Sequence, residues 1–236
     1  MKILSVGNSF SQDAQRYLHN IAKCDGFDLD TVNLYIGGCS LETHYENMRG
    51  DRPLYTLERN GTSLGKNVSI REVLQGEKFD VVTFQQVSTL SGNIDTYFPY
   101  LDELSRYVKV LAPEAKIFIH ETWPYEDGSE RLLSLGYKSS YEMYSDIEHS
   151  YEIAAKRIGA DGIIHSGKAV IDGINLGLKV HRDSFHASLA VGRYLVALVW
   201  YKTLCSKDAL EIPFYGFDSE ITKAEKDTVE KIVAML

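Results

Sequence analysis

Short apolar runs alternate along the chain with longer segments in which apolar residues recur every three or four positions. The apolar runs predict β-strands, and the recurrence at helical spacing predicts helices. The predicted strands cover residues 2–6, 29–36, 79–84, 116–120 and 162–165. The predicted helices cover residues 12–23, 97–111, 140–158, 188–204 and 222–235. Because strands that alternate with helices form βαβ units, the pattern predicts an α/β fold with a parallel sheet and helices on both faces.

Two segments do not follow this alternation of strands and helices. Residues 50–76 contain a predicted hairpin, because Asn60-Gly61 is a strong turn signal. Residues 124–138 are polar and contain glycine. We interpret both segments as excursions that could roof a site. No repeat, low-complexity tract or flexible linker divides the chain, so residues 1–236 are predicted to form a single domain.

Composition and charge narrow the class of protein. Hydrophobic residues make up 44% of the 236 positions, and charged residues make up 25%. These fractions are typical of a soluble globular protein. The net charge of -8 disfavours nucleic acid and anionic membranes as partners. Three scattered cysteines argue against a disulfide scaffold and against a zinc site, which requires paired spacing. Cys24 and Cys205 are predicted to be core residues.

The N-terminus lacks the apolar stretch of a signal peptide. If Met1 is the native start, we therefore expect a cytoplasmic protein, although a trimmed chain from a secreted protein would read the same. The longest apolar stretch, at residues 195–200, is far shorter than a membrane span.

The first candidate for chemistry is Ser9, in the sequence GNSFS that follows the first predicted strand. A serine at a strand-to-helix turn is exposed, and the helix N-terminus offers N–H groups to a developing oxyanion. That position is typical of a nucleophile. The alternative is that Ser9 or Ser11 only caps the helix.

The second candidate is the pair Asp183 and His186, in the sequence HRDSFHAS. An aspartate three residues before a histidine can orient the imidazole, which can then take a proton from serine. Alternatively, Asp183 caps a turn and His186 lies on the surface.

Two further sites follow predicted strands. Gly37-Gly38 comes after the second strand, where a glycine allows the backbone to approach a ligand and donate an N–H. Gln85 and Gln86 follow the buried strand FDVVTF, and an amide there can donate to an oxyanion or bond a neighbouring loop.

The order of these blocks carries a resemblance. GNSFSQDA, GGCSLETH, FQQVS and RDSFHAS occur in succession over about residues 2 to 204. The chain resembles the SGNH hydrolase superfamily, also called GDSL esterases and lipases. Within it, the chain is similar to a branch with G-N-S-F-S in the first block, like the domain of unknown function DUF4886. The resemblance implies a three-layer α/β/α sandwich with a central parallel sheet, the flavodoxin-like fold of these hydrolases.

The resemblance also implies roles. Ser9 matches the nucleophile, His186 the general base and Asp183 its orienting carboxylate. The oxyanion donors would be the N–H groups of Ser9 and Gly38 and a side-chain amide. The wider family has an asparagine in that last position, where this chain offers Gln86, which we favour, or Gln85. The expected activity is hydrolysis of small acyl esters, often acetyl groups on carbohydrates, through an acyl-enzyme and with no metal or cofactor.

Substrate-binding residues are predicted from their place after strands. Trp123 and Tyr125 follow the KIFIH strand and could stack on a sugar, although loop packing is the alternative. Glu121 and His44 are expected to line the pocket. The alternating Glu42, His44 and Glu46 do not make a metal site without further ligands.

Three rival functions stay open. A lipase, thioesterase or acyltransferase would use the same residues with a wider apolar slot. A carbohydrate-binding module with a weak or inactive site is the second rival, and a flavodoxin-like nucleotide binder, which lacks a glycine-rich phosphate loop here, is the third. The substrate would be a small molecule or a saccharide ester, and the sequence does not determine the oligomeric state.

Overall fold

Seven strands form one sheet in the computed structural model, which describes residues 1–207 and 210–236. In chain order the strands are β1 (Lys2–Gly7), β2 (Asp30–Tyr35), β3 (Tyr55–Arg59), β4 (Thr62–Val68), β5 (Val81–Phe84), β6 (Lys116–His120) and β7 (Gly162–Ile164). Across the sheet the order is β4-β3-β2-β1-β5-β6-β7. Five strands pair in parallel, and β3 and β4 are antiparallel. The predicted α/β fold with a mainly parallel central sheet is confirmed.

Helices cover both faces of this sheet. Within the described residues they are α1 (Ser9–Cys24), α2 (Leu41–Arg49), α3 (Ile70–Gly76), α4 (Tyr100–Leu111), α5 (Glu130–Ser134), α6 (Ser140–Ile158), α7 (Ser166–Asn175), α8 (Val191–Cys205) and α9 (Lys223–Met235), with a 3₁₀ turn at Ile94–Thr96. One group packs α1, α7 and α9 around α8, and a second packs α2, α3 and α6 around α4. In the parts of the chain that the structure covers, no helix has both the length and the apolar character to cross a membrane.

The strand order reverses at β1, which lies in the middle of the sheet. From β1 the chain proceeds to β2 on one side and, after the hairpin, to β5 on the other. Ligand sites in such sheets lie beyond the carboxyl ends of the strands where the order reverses. The buried side chains of Ile3, Leu4 and Val6 anchor β1 in the core by removing apolar surface from water. The end of β1 is thereby a fixed point from which a site can be built.

The segment 50–76 forms the predicted hairpin, but it does not roof a site. Strand β3 pairs with β2 and β4 pairs with β3, so the hairpin extends the sheet at its edge. Asn60 and Gly61 at its tip have φ of +50° and +75°. Positive φ at both central residues is the requirement of a type I′ turn, which Asn-Gly satisfies.

Two of the three cysteines are less buried than predicted. Cys24 is exposed and Cys205 is half-buried, whereas Cys39 is buried. Cys24 is the last residue of α1 and lies outside the buried face that ends with Ile21 and Ala22. The interpretation of Cys24 as a core residue was therefore wrong. The apolar spacing continues to the last residue of α1, but the core that the helix packs against ends one turn earlier.

The hairpin tip offers a test of close packing. Gly61 and Gly65 both have positive φ, +75° and +64°. A Cβ at residue 61 would lie 2.6 Å from the carbonyl oxygen of Arg16, whereas a Cβ at residue 65 has no atom within 4 Å. We expect Gly65→Ala to lower the free energy of unfolding by about 1–2 kcal/mol, the cost of the left-handed backbone. Gly61→Ala should cost about 1–3 kcal/mol more, because the clash adds to that cost. Urea unfolding measures both, and equal losses would contradict the close approach.

Candidate active site

The turn between β1 and α1 presents the hydroxyl of Ser9. Asn8 is the N-cap of α1, and its Oδ1 accepts the N–H of Phe10 at 3.1 Å. The Ser11 hydroxyl donates to the carbonyl of Asn8 and to the side chain of Asn33. Ser9 is thus not the N-cap, and the hydrogen bonds of the turn are made by Asn8 and Ser11 and not by the Ser9 hydroxyl. It is the first residue of α1, half-buried, at the end of the helix where the backbone N–H groups point outward.

Ser9, His186 and Asp183 form a continuous hydrogen-bonded chain. Nε2 of His186 lies 2.9 Å from Oγ of Ser9, and Nδ1 lies 2.8 Å from Oδ2 of Asp183. Because a carboxylate can only accept, the hydrogen is assigned to Nδ1, and Nε2 is left to accept from the serine hydroxyl. The structure therefore brings together the three residues singled out in the sequence, in the order that proton transfer from serine requires.

Asp183 is held in its ionised form. Partial burial would raise the pKa of its carboxyl, but hydrogen bonds from the ring and the backbone N–H of His186 outweigh that effect, so the pKa is lowered. The nearby positive charge of Arg182 acts in the same direction. The aspartate can therefore orient the imidazole as an anion.

The segment that carries Asp183 and His186, here called the histidine loop (residues 182–187), is supported from the side by residues 123–131. The ring of Phe185 lies 3.7 Å from that of His186, measured between centroids. The indole N–H of Trp123 donates to the carbonyl of Phe185 at 2.7 Å. The guanidinium of Arg131 lies 3.9 Å from the centroid of the Phe185 ring. Phe185 thus packs against the imidazole ring, and Trp123 and Arg131 hold Phe185 in place.

The backbone of the histidine loop includes a residue in an unfavourable conformation. Ser184 has φ of +70°, in the left-handed region where a non-glycine residue is strained. Its carbonyl accepts the N–H of Glu126 at 2.8 Å. Because such strain persists only where surrounding contacts impose it, the loop is held in one shape by its neighbours.

The tight turn at residues 36–39, here called the glycine turn, lies beside Asn8. The N–H of Cys39 donates to the carbonyl of Ile36 at 3.3 Å, and Gly38 has φ of +62°, a conformation that glycine adopts without strain. Nδ2 of Asn8 donates to the carbonyl of Cys39 at 3.1 Å and ties the turn to the residue before Ser9. Over the described residues, the backbone N–H groups of Ser9 and Gly38 have no acceptor within the protein.

Gln85 belongs to a buried chain of side-chain hydrogen bonds that ends at Asn8. Its Nε2 donates to Oδ1 of Asn8 at 2.6 Å, so its Oε1 accepts from Nδ1 of His120 at 2.7 Å. Nε2 of His120 then accepts from the hydroxyl of Ser166 at 3.0 Å. Among the described residues, one of the two amide hydrogens of Gln85 has an acceptor, and that acceptor is Asn8, in the turn before Ser9.

Gln86, the glutamine favoured from the sequence, is turned away from that turn. Its Oε1 accepts the N–H groups of Leu41 and Val87, and its Nε2 donates to the carbonyl and the hydroxyl of Thr96. All the hydrogen-bonding capacity of its amide serves to hold loops together. The preference for Gln86 is therefore corrected: both ends of its amide are already bonded, which leaves Gln85 as the remaining candidate.

The two aromatic residues predicted to stack on a sugar are buried, so the interpretation of both as a binding platform was wrong. Trp123 stacks on Phe10 with ring centroids 4.0 Å apart. The hydroxyl of Tyr125 bonds to that of Ser88 at 2.8 Å. Both side chains are 0% exposed, so neither ring offers a face to a ligand.

The two polar wall residues are buried as well, which corrects their assignment to a pocket. Glu121 accepts the N–H of Lys168 at 2.9 Å and lies 3.2 Å from Nδ1 of His165. His44 stacks on Tyr55, and its Nδ1 lies 3.0 Å from the Tyr55 hydroxyl. In the part of the chain that the structure describes, no group of three or more His, Cys, Asp or Glu residues could hold a metal ion.

A polar cavity adjoins the histidine loop. It measures about 610 Å³ and is lined by Glu130, Arg131, Ser134, Asp183 and Ser184. A larger cavity of about 1520 Å³ is lined by residues between 210 and 231, and none of Ser9, Asp183 and His186 contributes to it. The space next to Asp183 is thus bounded by charged and hydroxyl side chains, and neither Ser9 nor His186 is among the residues that line it.

Two residues of the site, Asn8 and Asp13, were not predicted from the sequence. Asn8 was treated only as part of a motif, although an asparagine before a helix is a common cap. Asp13 is buried under the histidine loop, where it bonds to Arg182. Its place four residues after Ser9 is visible in the sequence, but its partner 169 positions away is not.

Comparisons with known proteins agree with the fold. The sequence profile of a family described as "Domain of unknown function (DUF4886)" matches residues 2–234. A crystal structure of a DUF4886 family protein from Bacteroides uniformis is 31% identical, with a TM-score of 0.92 over 100% of this chain and 93% of that chain. No curated protein matched the sequence.

Two more distant structures share the fold. A member of the lipolytic protein G-D-S-L family from Veillonella parvula is 11% identical, with a TM-score of 0.58 over 88% of this chain and 100% of that chain. An acetylxylan esterase from Geobacillus stearothermophilus is 13% identical, with a TM-score of 0.57 over 93% of this chain and 97% of that chain. The chain therefore has the fold of GDSL-like, or SGNH, hydrolases.

Two buried histidines predict a loss of stability in acid. Burial lowers the pKa of His44 and of His120 to about 3, against about 6.5 in an unfolded chain. Between those values the unfolded state binds more protons, so the stabilisation is complete above the unfolded pKa and is lost as the pH falls toward the folded one.

His44→Phe isolates one of these contributions, because phenylalanine keeps an aromatic ring but binds no proton. We expect the slope of unfolding free energy against pH to become shallower by up to about 1.4 kcal/mol per pH unit below the unfolded pKa. Urea unfolding at stepped pH measures it. An unchanged slope would mean that His44 takes up its proton while the protein is folded.

Proposed function

We propose that this chain, which belongs to the family described as "Domain of unknown function (DUF4886)", is a serine hydrolase that cleaves small acyl esters. The observation that carries the proposal is the hydrogen-bonded chain from Ser9 through His186 to Asp183. That chain supplies a nucleophile, a base with its accepting nitrogen directed at the nucleophile, and a carboxylate that fixes the tautomer. The shared fold alone would not carry an activity, because one fold hosts many functions.

The proposed reaction is a double displacement. His186 takes the proton of Ser9 as Oγ attacks the acyl carbon, and the alcohol leaves with that proton. The acyl group stays bonded to Oγ after the alcohol has left, until water, activated by His186, releases it as a carboxylic acid. Each step returns the imidazole to the state in which it began.

The developing oxyanion would be stabilised by N–H groups that have no acceptor of their own. The backbone N–H groups of Ser9 and Gly38 meet this condition. The free amide hydrogen of Gln85 is the third candidate, because its carbonyl and its other hydrogen already hold the amide in place. Donors held in advance stabilise the transition state without reorganising at the moment of reaction.

The proposed substrates are esters of hydroxylated alcohols, with O-acetyl groups on carbohydrates as the leading class. The cavity beside Asp183 is lined by residues with charged or hydroxyl side chains, which could form hydrogen bonds with the hydroxyl groups of a saccharide. The net charge of -8 disfavours polyanionic substrates. One protein of the same fold is an acetylxylan esterase, so acetylated xylooligosaccharides are a reasonable first probe.

Ser9→Ala is the direct test. We expect the wild type to hydrolyse p-nitrophenyl acetate and to be labelled by a fluorophosphonate on the peptide that contains Ser9. The variant should lose both properties, by several orders of magnitude in kcat, with a nearly unchanged unfolding temperature. Ser11→Ala, in the same turn, is the matched control and should keep the label. Labelling elsewhere, or hydrolysis that survives in Ser9→Ala, would contradict the proposal.

A substrate panel tests the proposed class. We expect a higher kcat/KM for acetylated xylooligosaccharides than for long-chain p-nitrophenyl esters or acyl thioesters. A preference for the long chains or the thioesters would favour a lipase or thioesterase. Binding of the saccharide without turnover or labelling would favour a binding module.

Asp183→Asn tests the role of the carboxylate. An asparagine amide can donate to Nδ1 of His186, which stabilises the tautomer that does not accept from serine. We expect kcat to fall on the order of 10⁴-fold, as in other triads, with KM little changed. Circular dichroism must show a folded variant, and wild-type kcat in that folded variant would assign Asp183 to a structural role.

A further inference from the structure

A buried carboxylate connects the two halves of the candidate site. Asp13 is fully buried and lies in α1, four residues after Ser9. Residues four apart lie on the same face of a helix, one turn from each other. The face of α1 that presents Ser9 to His186 therefore presents Asp13 to the chain on either side of that histidine.

Asp13 accepts hydrogen bonds from three groups around the histidine loop. Nη1 of Arg182 lies 2.9 and 3.0 Å from its two carboxylate oxygens. The backbone N–H of Ala187 donates to it at 3.2 Å, and Nε of Arg193 at 2.8 Å. Arg182 and Ala187 are the first and last residues of the loop, so one carboxylate holds both of its ends.

The loop is also closed on itself at the same point. The backbone N–H of Arg182 donates to the carbonyl of His186 at 3.0 Å, and Nη1 of Arg182 donates to the carbonyl of Ala187. Arg182 therefore bonds both to Asp13 and to the far end of the loop. A shift of α1 relative to the loop would break the contacts of Asp13 with both ends of the loop together.

We propose that Asp13 is a positioning residue that holds the histidine loop at the distance where His186 meets Ser9. The role rests on the proposed function, because it presupposes that these two residues react. Asp183 cannot do this alone, since 46% of its side chain is exposed and it moves with the loop that it belongs to. Asp13 lies outside the loop, in the same rigid helix as the nucleophile.

The consequence of losing this anchor follows from the geometry of proton transfer. A displacement of about 1 Å between reacting groups can cost on the order of 10²-fold in rate. A neutral amide at residue 13 would leave Arg182 and Arg193 with a weaker acceptor in a buried place, and the loop would relax away from α1. The proposed oxyanion donors Gly38 and Gln85 would keep their places, because neither is a hydrogen-bond partner of Asp13.

The experiment compares Asp13→Asn and Arg182→Met with Arg16→Met. Arg16 lies on the same helix and bonds to Asp218, but it has no hydrogen bond to the histidine loop among the described residues. Each arginine variant removes one of two arginines from a carboxylate that Arg193 also contacts. Arg16 is 38% and Asp218 23% exposed, against 26% for Arg182 and 0% for Asp13, so the control pair is the more exposed of the two. We expect Asp13→Asn and Arg182→Met to lower kcat for p-nitrophenyl acetate on the order of 10²-fold, with little change in KM. Arg16→Met should keep the wild-type kcat.

A second readout does not depend on turnover. The proton on Nδ1 of His186, shared with Asp183, gives a downfield proton resonance while that hydrogen bond persists. We expect the resonance in wild type and Arg16→Met, and its loss or broadening in Asp13→Asn and Arg182→Met. Reduced stability alone would not remove it from a protein that is still folded.

The outcomes separate this proposal from the proposed function. If the wild type neither hydrolyses esters nor reacts with a fluorophosphonate, the proposed function fails and the resonance still tests the anchor. If Asp13→Asn does not fold, Arg182→Met decides, assayed at about pH 8, where the Asp183 carboxylate stays ionised even without the charge of Arg182. Wild-type kcat and resonance in a folded Asp13→Asn or Arg182→Met would overturn the positioning role. So would an equal loss of kcat in Arg16→Met.

Discussion

The side chain of Asn8 joins three loops that come from distant parts of the chain. Its Oδ1 accepts from the N–H of Phe10 and from Gln85, and its Nδ2 donates to the carbonyl of Cys39. The side chain is almost completely buried, so a lost partner would leave an unsatisfied polar group in the core. An aspartate here could accept the same two hydrogen bonds, but it could not donate to Cys39. The amide therefore determines how the glycine turn lies against the nucleophile turn.

The position of Asn8 between these loops follows from the register of the sheet. Gly7 pairs with Tyr35, and Val6 pairs with Phe84, so β1, β2 and β5 end at the same level. Their following loops must converge, and this is why residues singled out after each strand could be assigned to one site. Topology decides which loops meet, and hydrogen bonds such as those of Asn8 decide how closely.

The same reasoning explains what the sequence could not predict. The strands and long helices could be predicted because their apolar periodicity is strong, whereas α2 and α7 were missed because they are short and rich in polar residues or glycine. Gln86 was favoured over Gln85 as the oxyanion donor because the sequence does not show which of two consecutive residues faces the site. In an extended chain they point to opposite faces, so an error of one residue selects the wrong side chain.

Trp123 shows a different limit, because its place after β6 was predicted but its direction was not. A residue that follows a strand lies at the right edge of the sheet, yet its side chain can point into the loop packing or into solvent. Here the indole is buried against Phe10 and donates to the carbonyl of Phe185. Trp123 therefore holds the histidine loop through Phe185 and offers no face to a substrate.

These observations share one physical requirement. Ser9 is fixed by the sheet, but the histidine loop lies outside it, 177 residues further along the chain. Apolar burial is non-directional and can bring the loop near without defining its orientation. Orientation is supplied by directional bonds to buried groups: Asp13 at the ends of the loop, Trp123 at its centre, and the carbonyl of Pro124, which bonds to Nε2 of His181. Buried ion pairs contribute little net stability, so the carboxylate of Asp13 is better explained by the geometry that it imposes than by the stability that it adds.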